Sequence, residues 1–333
     1  MMTTFPVTAS LLSTDALNIW AQQTYRLPSG TTCKILKAGI NHTYHLHSPN
    51  TDVILRVYTQ GWRTQPEIEA ELALLNQLAA AGIAVSTPIQ DDHGVCVQLL
   101  NAPEGERFAV LFTMAAGEKV PMFSPDLHEE AGRVLGCIHQ ITQNQSATRP
   151  TYTPDILSPD ELPEIAAYLP AHTPEWSFLR HTQTIVQSIL SDVAPKDLRH
   201  GLVHLDFWAD NVHVSGSRIT VFDFDFCGNG WLALDVAYYL LQAFRTTPDP
   251  ADYAQIRHRF LSGYTSIAQL SDAESKILPT LGLALYHFYL SVQCRRFHDW
   301  SHAFLNEPYL RRYTKTFIQP FFEAHFDAFN PGS

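Results

Sequence analysis

His204-Leu205-Asp206-Phe207-Trp208-Ala209-Asp210-Asn211 reads as H-x-D, four residues, then N. A dozen residues later, Val221-Phe222-Asp223-Phe224-Asp225 sets two more carboxylates behind an apolar pair. Both stretches place carboxylate or amide oxygens where a short strand runs into a loop. Singly, Asp and Asn are common turn formers and caps. Together, in this order and spacing, they suit phosphoryl transfer to a hydroxyl. That chemistry needs a carboxylate to take the hydroxyl proton and hard oxygen ligands for the magnesium that neutralises the phosphates of ATP. Asp206 is the candidate base, Asn211 a neutral metal ligand and Asp223 a charged one. Asp225 is read as a turn cap, with a second metal contact as the alternative.

Outward from this segment the chain changes character. Thr32–Leu36, Thr43–His47 and Val53–Tyr58 read as strands joined by turns at Gly39 and Pro49-Asn50. A helix follows, with Pro66 in its first turn, Leu72, Leu74, Leu75 and Leu78 on its apolar face, and Gly82 at its end. Strands around Val95–Leu99 and Ala109–Thr113 flank the turn Pro103-Glu104-Gly105. Beyond that, Leu127–Thr142 and Phe178–Val193 read as helices, with a Pro- and Thr-rich insert at 146–176 between them and a short helix at Pro159–Tyr168. Gly201–Val214 and Arg218–Phe226 form two strand-loop units, and the chain from Ala233 is mainly helical. Strands first and helices second predict an α+β fold of two lobes, residues 1–117 and 118–333, rather than an alternating βαβ sheet.

The motif resembles that of the protein-kinase-like superfamily of aminoglycoside phosphotransferases, choline kinases and type II homoserine kinases. Within it, D-F-D-F-C-G-N-G-W at 223–231 followed by Leu234-Asp235-Val236-Ala237 resembles the branch holding the bacterial stress-response kinase. The resemblance spans about residues 30–300. It implies that Asp206 is the catalytic base, that Asn211 and Asp223 hold magnesium, and that Asp235 steadies the catalytic loop; His204 is expected to orient that loop by hydrogen bonding. Two positions depart from the family pattern. Leu205 stands where the family has Gly, which predicts a narrower acceptor pocket, and Asp225 stands where Gly follows D-F, as in the stress-response branch.

The resemblance also implies a cation on the third strand, held by an acid on the next helix. Leu55-Arg56-Val57-Tyr58 supplies Arg56, which grips phosphate through a planar fork. Glu67, Glu69 and Glu71 are the candidate partners, with Glu71 best matching the family spacing. Gly39 and Asn41 stand at the phosphate-covering turn, which holds only that one glycine. Met114, at the end of the strand before Ala115-Ala116-Gly117, is placed to pack on adenine.

Composition narrows the partners. The 333 residues are 45% hydrophobic and 17% charged, a globular profile that excludes disorder. A net charge of −11 disfavours nucleic acid and anionic membranes and favours cationic ligands. Cys33, Cys96, Cys137, Cys227 and Cys294 form no C-x-x-C pair and read as reduced thiols of a cytoplasmic protein. His45 and His47 share a strand face, but no Cys or second His pair is spaced with them for zinc. No signal peptide is read at the N-terminus, and the apolar stretches Trp231–Phe244 and Leu278–Val292 fall short of a membrane span.

Three functions fit: a kinase of a small hydroxyl compound bearing an amine, a protein Ser/Thr kinase, and a nucleotide-binding pseudokinase. The small-molecule reading leads. Its acceptor site is expected near the insert, where Asp155, Asp160, Glu161, Glu164 and Glu175 read first as solvated loop acids and alternatively as partners for an ammonium group, and Tyr264, Tyr286 and Trp300 read first as core and alternatively as aromatic walls. Oligomeric state is not legible.

Overall fold

Alternate burial along the early strands builds the first sheet. In the computed structural model, which describes residues 5–193 and 197–329 apart from the side chain of Trp300, β2 (His42–Ser48) buries His42, Tyr44, Leu46 and Ser48 and turns the residues between them outward. β1 (Thr32–Ala38), β2, β3 (Thr51–Val57), β6 (Gly105–Thr113) and β4 (Pro88–Ile89) pair in that order, all antiparallel, with β5 (Val97–Ala102) also on β6. The helix α1 (Thr14–Tyr25) lays Leu17 and Ala21 against Tyr44, Leu46, Leu55, Val57 and Leu111. The sequence reading did not find α1: only two of its twelve residues are buried, so its apolar period is faint. The helix α2 (Gln65–Ala80) starts at a capping box between Thr64 and Glu67 and buries Ile68, Glu71, Leu72, Leu74, Leu75 and Leu78.

The chain divides into two compact units. One comprises the residues up to Gly117 with Thr220–Phe222, and the other Glu118–Ile219 with the chain from Asp223 onward. The second unit opens with α3 (Pro125–Thr142), followed in the insert by the short helices α4 (Pro154–Leu157) and α5 (Pro163–Ala166), then α6 (Pro174–Asp192). The insert thus carries two helical turns rather than one helix at 159–168, because Pro154 and Pro163 each open a separate one. β7 (His200–Val203) pairs β10 (Gly228–Trp231), while β8 (Val212–Ser215) and β9 (Arg218–Val221) make a hairpin. The remaining helices are α7 (Ala233–Thr246), α8 (Pro250–Thr265), α9 (Asp272–Arg295), α10 (Glu307–Tyr313), α11 (Gln319–Ala324) and α12 (Phe326–Phe329), with a π-helical turn at Thr314–Ile318 between α10 and α11.

The helices α3 and α8 meet backbone to backbone. A Cβ on Gly132 would lie 2.0 Å from the Phe260 carbonyl oxygen, and one on Gly263 would lie 1.9 Å from that of Glu129. Any side chain at either position forces the helices apart. The helix α9 is long and apolar enough to cross a membrane by length and composition, beginning six residues before the stretch read from sequence; 83% of its apolar window is buried inside the protein, as in a core helix.

Candidate active site

Asp206 follows β7, on a loop tied to the start of α7. The Asp235 carboxylate accepts the backbone N–H of His204 at 2.8 Å and that of Leu205 at 2.6 Å. His204 Nδ1 accepts the Asp206 N–H at 3.1 Å, so the imidazole proton sits on Nε2, and the ring lies 4.3 Å from that of Phe224. Asn211 Nδ2 donates to the Asp206 carbonyl at 2.9 Å and to its carboxylate at 2.7 Å. The other carboxylate oxygen accepts the hydroxyl of Tyr238. Burial and the nearby Asp206 charge hold the Tyr238 phenol far above its ordinary pKa, so it remains a donor.

Leu205 explains why a glycine suits its position. Its φ is 62°, in the left-handed region, which costs a branched side chain about 1 kcal/mol or more. The side chain is fully buried, so it packs inside the unit instead of narrowing an open pocket, and the carbonyl accepts the Tyr289 hydroxyl. Asp223 is left-handed too, with φ 64°.

The loop after Asp223 is held from the insert. Arg149, 7% exposed, donates to the carbonyls of Cys227 at 2.8 Å, Phe224 at 3.4 Å and Asp225. Tyr152 donates to the Phe226 carbonyl at 2.6 Å. The strand β10 keeps both in register, because Asn229 Nδ2 donates to the carbonyls of Ala147 and Arg149 and its Oδ1 accepts the Ala147 N–H. Asp225 is buried in the turn at 224–226.

Behind Asp235 runs a buried relay. His139 Nε2 lies 3.0 Å from Asp235, its Nδ1 lies 2.8 Å from the Tyr264 hydroxyl, and that hydroxyl accepts from Arg199 at 3.1 Å. Arg199 pairs with Glu274 at 2.9 Å. Tyr264 is therefore a link in this relay rather than an aromatic wall, and Tyr286 is buried in the core. The side chain of Trp300 lies outside the described part. Of the insert acids, Glu175 is buried and paired with Arg311 at 3.1 Å and Lys315 at 2.7 Å, and Asp160 accepts from Gln187. Asp155 and Glu161 are exposed, and Glu164 is half-buried.

In the first unit, Arg56 pairs with Glu71 at 2.7 Å in a buried setting, and Tyr58 donates to the second oxygen of Glu71 at 3.3 Å. Glu67 caps α2, and Glu69 accepts from Gln65. The Gly39 N–H donates to the Asn41 carbonyl at 3.2 Å, and the Asn41 side-chain oxygen accepts the Thr59 N–H, which fixes the turn. Met114 is half-buried, with its N–H on the Asp52 carbonyl. On the β2–β3 hairpin His45, His47 and Asp52 bring ligand atoms within 4.8 Å of one another. The sequence reading weighed only Cys and His as third ligands and so passed over Asp52.

An open cavity of about 850 Å³ in the second unit is lined by Lys119, Met122, His128, Trp208, Gln242 and Arg259 among others. Asp206 does not line it. Lys119 is paired with Asp210 at 2.6 Å, and burial lowers His128 to a pKa of about 4.

Comparison with known proteins matches residues 32–270 to the phosphotransferase enzyme family. The chain belongs to this family. A homoserine kinase of Gluconobacter oxydans is 30% identical, with 78% of this chain and 79% of that protein covered. Among solved structures, the microcompartment-associated aminopropanol kinase superposes with a TM-score of 0.79 at 21% identity, covering 95% of this chain and 98% of that one. The amicoumacin kinase hAmiN, in complex with AMP-PNP, Ca2+ and Ami, gives 0.73 at 20% identity, covering 93% and 96%. The fold of this phosphotransferase is accordingly the protein-kinase-like one, an antiparallel sheet followed by a mainly helical lobe. The named relative and the two structural counterparts are kinases of small molecules.

Proposed function

We propose that this phosphotransferase moves the γ-phosphate of ATP to a hydroxyl of a small, amine-bearing molecule, with Asp206 as the base. The observation that carries the reading is the pair of hydrogen bonds that orients the Asp206 carboxylate, one from Asn211 at 2.7 Å and one from Tyr238. They fix the carboxylate in direction and leave lone pairs for an incoming hydroxyl. The Asp206 carboxylate takes the hydroxyl proton as the oxygen attacks phosphorus. The donor set suits magnesium: Asn211 commits its amide nitrogen to Asp206, which leaves Oδ1 as the neutral oxygen ligand, and Asp223 adds a charged oxygen. Bound there, the ion would neutralise phosphate oxygens. Arg56, held by Glu71, is proposed to grip the nucleotide phosphates. Gly39, Asn41 and Met114 are proposed to line the nucleotide, and Asp235 and His204 to position the loop. Homoserine and aminopropanol, on which the named relatives act, each join an amine to a hydroxyl.

The test is phosphate transfer from ATP and magnesium to a panel of amino alcohols, hydroxy amino acids and aminoglycosides, set against generic protein substrates. Transfer to small acceptors is expected. Transfer only to protein serine or threonine would replace the reading with a protein kinase, and nucleotide binding without transfer would replace it with a pseudokinase. Asp223→Ala is expected to abolish the magnesium-dependent part of the thermal stabilisation by ATP, and an unchanged shift would move the metal elsewhere.

A further inference from the structure

A half-buried arginine beside the Asp206 loop has no acid to pair with. Arg245 is half-buried in the last turn of α7, with its guanidinium carbon 5.5 Å from the Trp208 ring centroid and 5.7 Å from that of Phe317. No carboxylate of the described residues lies within 4.0 Å of it, and the residues outside that description carry no acidic side chain. Arg199, Arg259, Arg296 and Arg311 of this unit, also partly buried, have carboxylate partners, whereas Arg180 of α6 has none among the described residues but does not stand beside the Asp206 loop. The α7 C-terminus and the two aromatic faces soften the cost of this cation without supplying an anion.

Its position ties it to the reaction. Trp208 is two residues beyond Asp206. Tyr238, which donates to Asp206, lies seven residues before Arg245, on the same face of α7 and about 10 Å along the axis. The reach of the arginine side chain shortens that gap to the length of a small molecule. The charge of Arg245 bears on the hydroxyls of Tyr238, Tyr286, Tyr309 and Tyr313. The Tyr286 hydroxyl is buried without a hydrogen-bond partner. Phe317 stands in the π-helical turn at Thr314–Ile318, an irregularity found disproportionately at functional sites.

We infer that Arg245 binds a carboxylate of the acceptor, so that the substrate is a small hydroxy acid that also bears the proposed amine, held with its hydroxyl at Asp206 and its carboxylate at the far end of α7. This rests on the kinase reading above. A guanidinium matches a carboxylate through two parallel N–H bonds, which an amino alcohol cannot form and a second cation would oppose.

The experiment compares acceptors that differ only by a carboxylate: serine with ethanolamine, homoserine with 3-aminopropan-1-ol, and threonine with 1-aminopropan-2-ol. The wild-type enzyme is expected to favour the acid of the productive pair. Arg245→Met is expected to raise KM for that acid roughly ten- to hundredfold more than for its amine partner, with Arg245→Lys recovering part of the difference. Wild-type preference for the amines, or an equal effect of Arg245→Met on both members of a pair, would overturn the inference; the equal effect would assign Arg245 to a phosphate. If no compound accepts phosphate although Mg·ATP binds, the kinase reading fails by itself. Calorimetric binding of homoserine to both proteins then decides the arginine: tenfold weaker binding in Arg245→Met sustains it, and equal or absent binding overturns it.

Discussion

In the proposed mechanism the loop bearing Asp206 and the loop bearing Asp223 carry complementary parts of one chemistry, yet they are anchored from different places. The first hangs on Asp235, which accepts two of its N–H groups and is backed by His139, Tyr264 and Arg199. The second is gripped through its carbonyls by Arg149 and Tyr152, from an insert more than seventy residues upstream. One loop is held by an acceptor on a core helix, the other by donors on a connecting segment. The difference implies that the two loops can be perturbed separately.

The largest expected effect is on the first loop. Asp206→Asn should lower kcat by two or more orders of magnitude while leaving nucleotide affinity near that of the parent, on the scale of losing a general base. Steady-state kinetics with a nucleotide titration checks it, and turnover near the wild-type value would remove Asp206 from the base role. Arg149→Met is the matching cut at the second loop. Three carbonyls lose their donor, so the magnesium concentration for half-maximal rate should rise roughly tenfold or more. If kcat falls instead with an unchanged magnesium requirement, the two loops act as one unit and the comparison breaks.

The smallest expected effect is set by pH. His287 is fully buried between Ser158 of the insert and Thr182 of α6, 2.9 and 3.0 Å from their hydroxyls, and burial lowers its pKa to about 3. The folded state therefore favours neutral imidazole. Its contribution is complete above the unfolded pKa of about 6.5 and is lost as pH falls from there towards 3. Between pH 7.5 and 4.5 the loss should be on the order of 2 kcal/mol from this residue. Urea unfolding at the two pH values measures it, and His287→Gln should flatten the difference. An unchanged slope in the variant would assign the acid sensitivity to other groups.

The same contrast separates what the sequence showed from what it hid. The H-x-D…N run and the D-F-D-F run lie within some twenty residues, so spacing exposed them, while Asp235 was read only through the family resemblance. The Arg56 partner was narrowed to three glutamates, and burial singles out Glu71, because only that position of the three faces inward. Arg149 and His139 could not be read, since each acts on a segment more than seventy residues away, and the helical pattern that holds His139 shows it only as one more inward-facing position of α3. Tyr238 carried a usable signal: it follows Asp235 by three residues and so shares its face of α7. Glu175 was misread for a physical reason, because an acid in a Pro-rich stretch looks solvated until the first turn of α6 is seen to bury it against Arg311 and Lys315.

The glycine contacts between α3 and α8 bear on how this enzyme can diversify. Both helices contribute to the wall of the 850 Å³ cavity, through Pro125 and His128 on one side and Asp252, Ile256 and Arg259 on the other. With the two backbones already touching at Gly132 and Gly263, that wall cannot tighten, and substitution at either glycine would pry it open. Inherited change in the cavity must then proceed by exchanging the residues that face it, one at a time, on a frame of constant width.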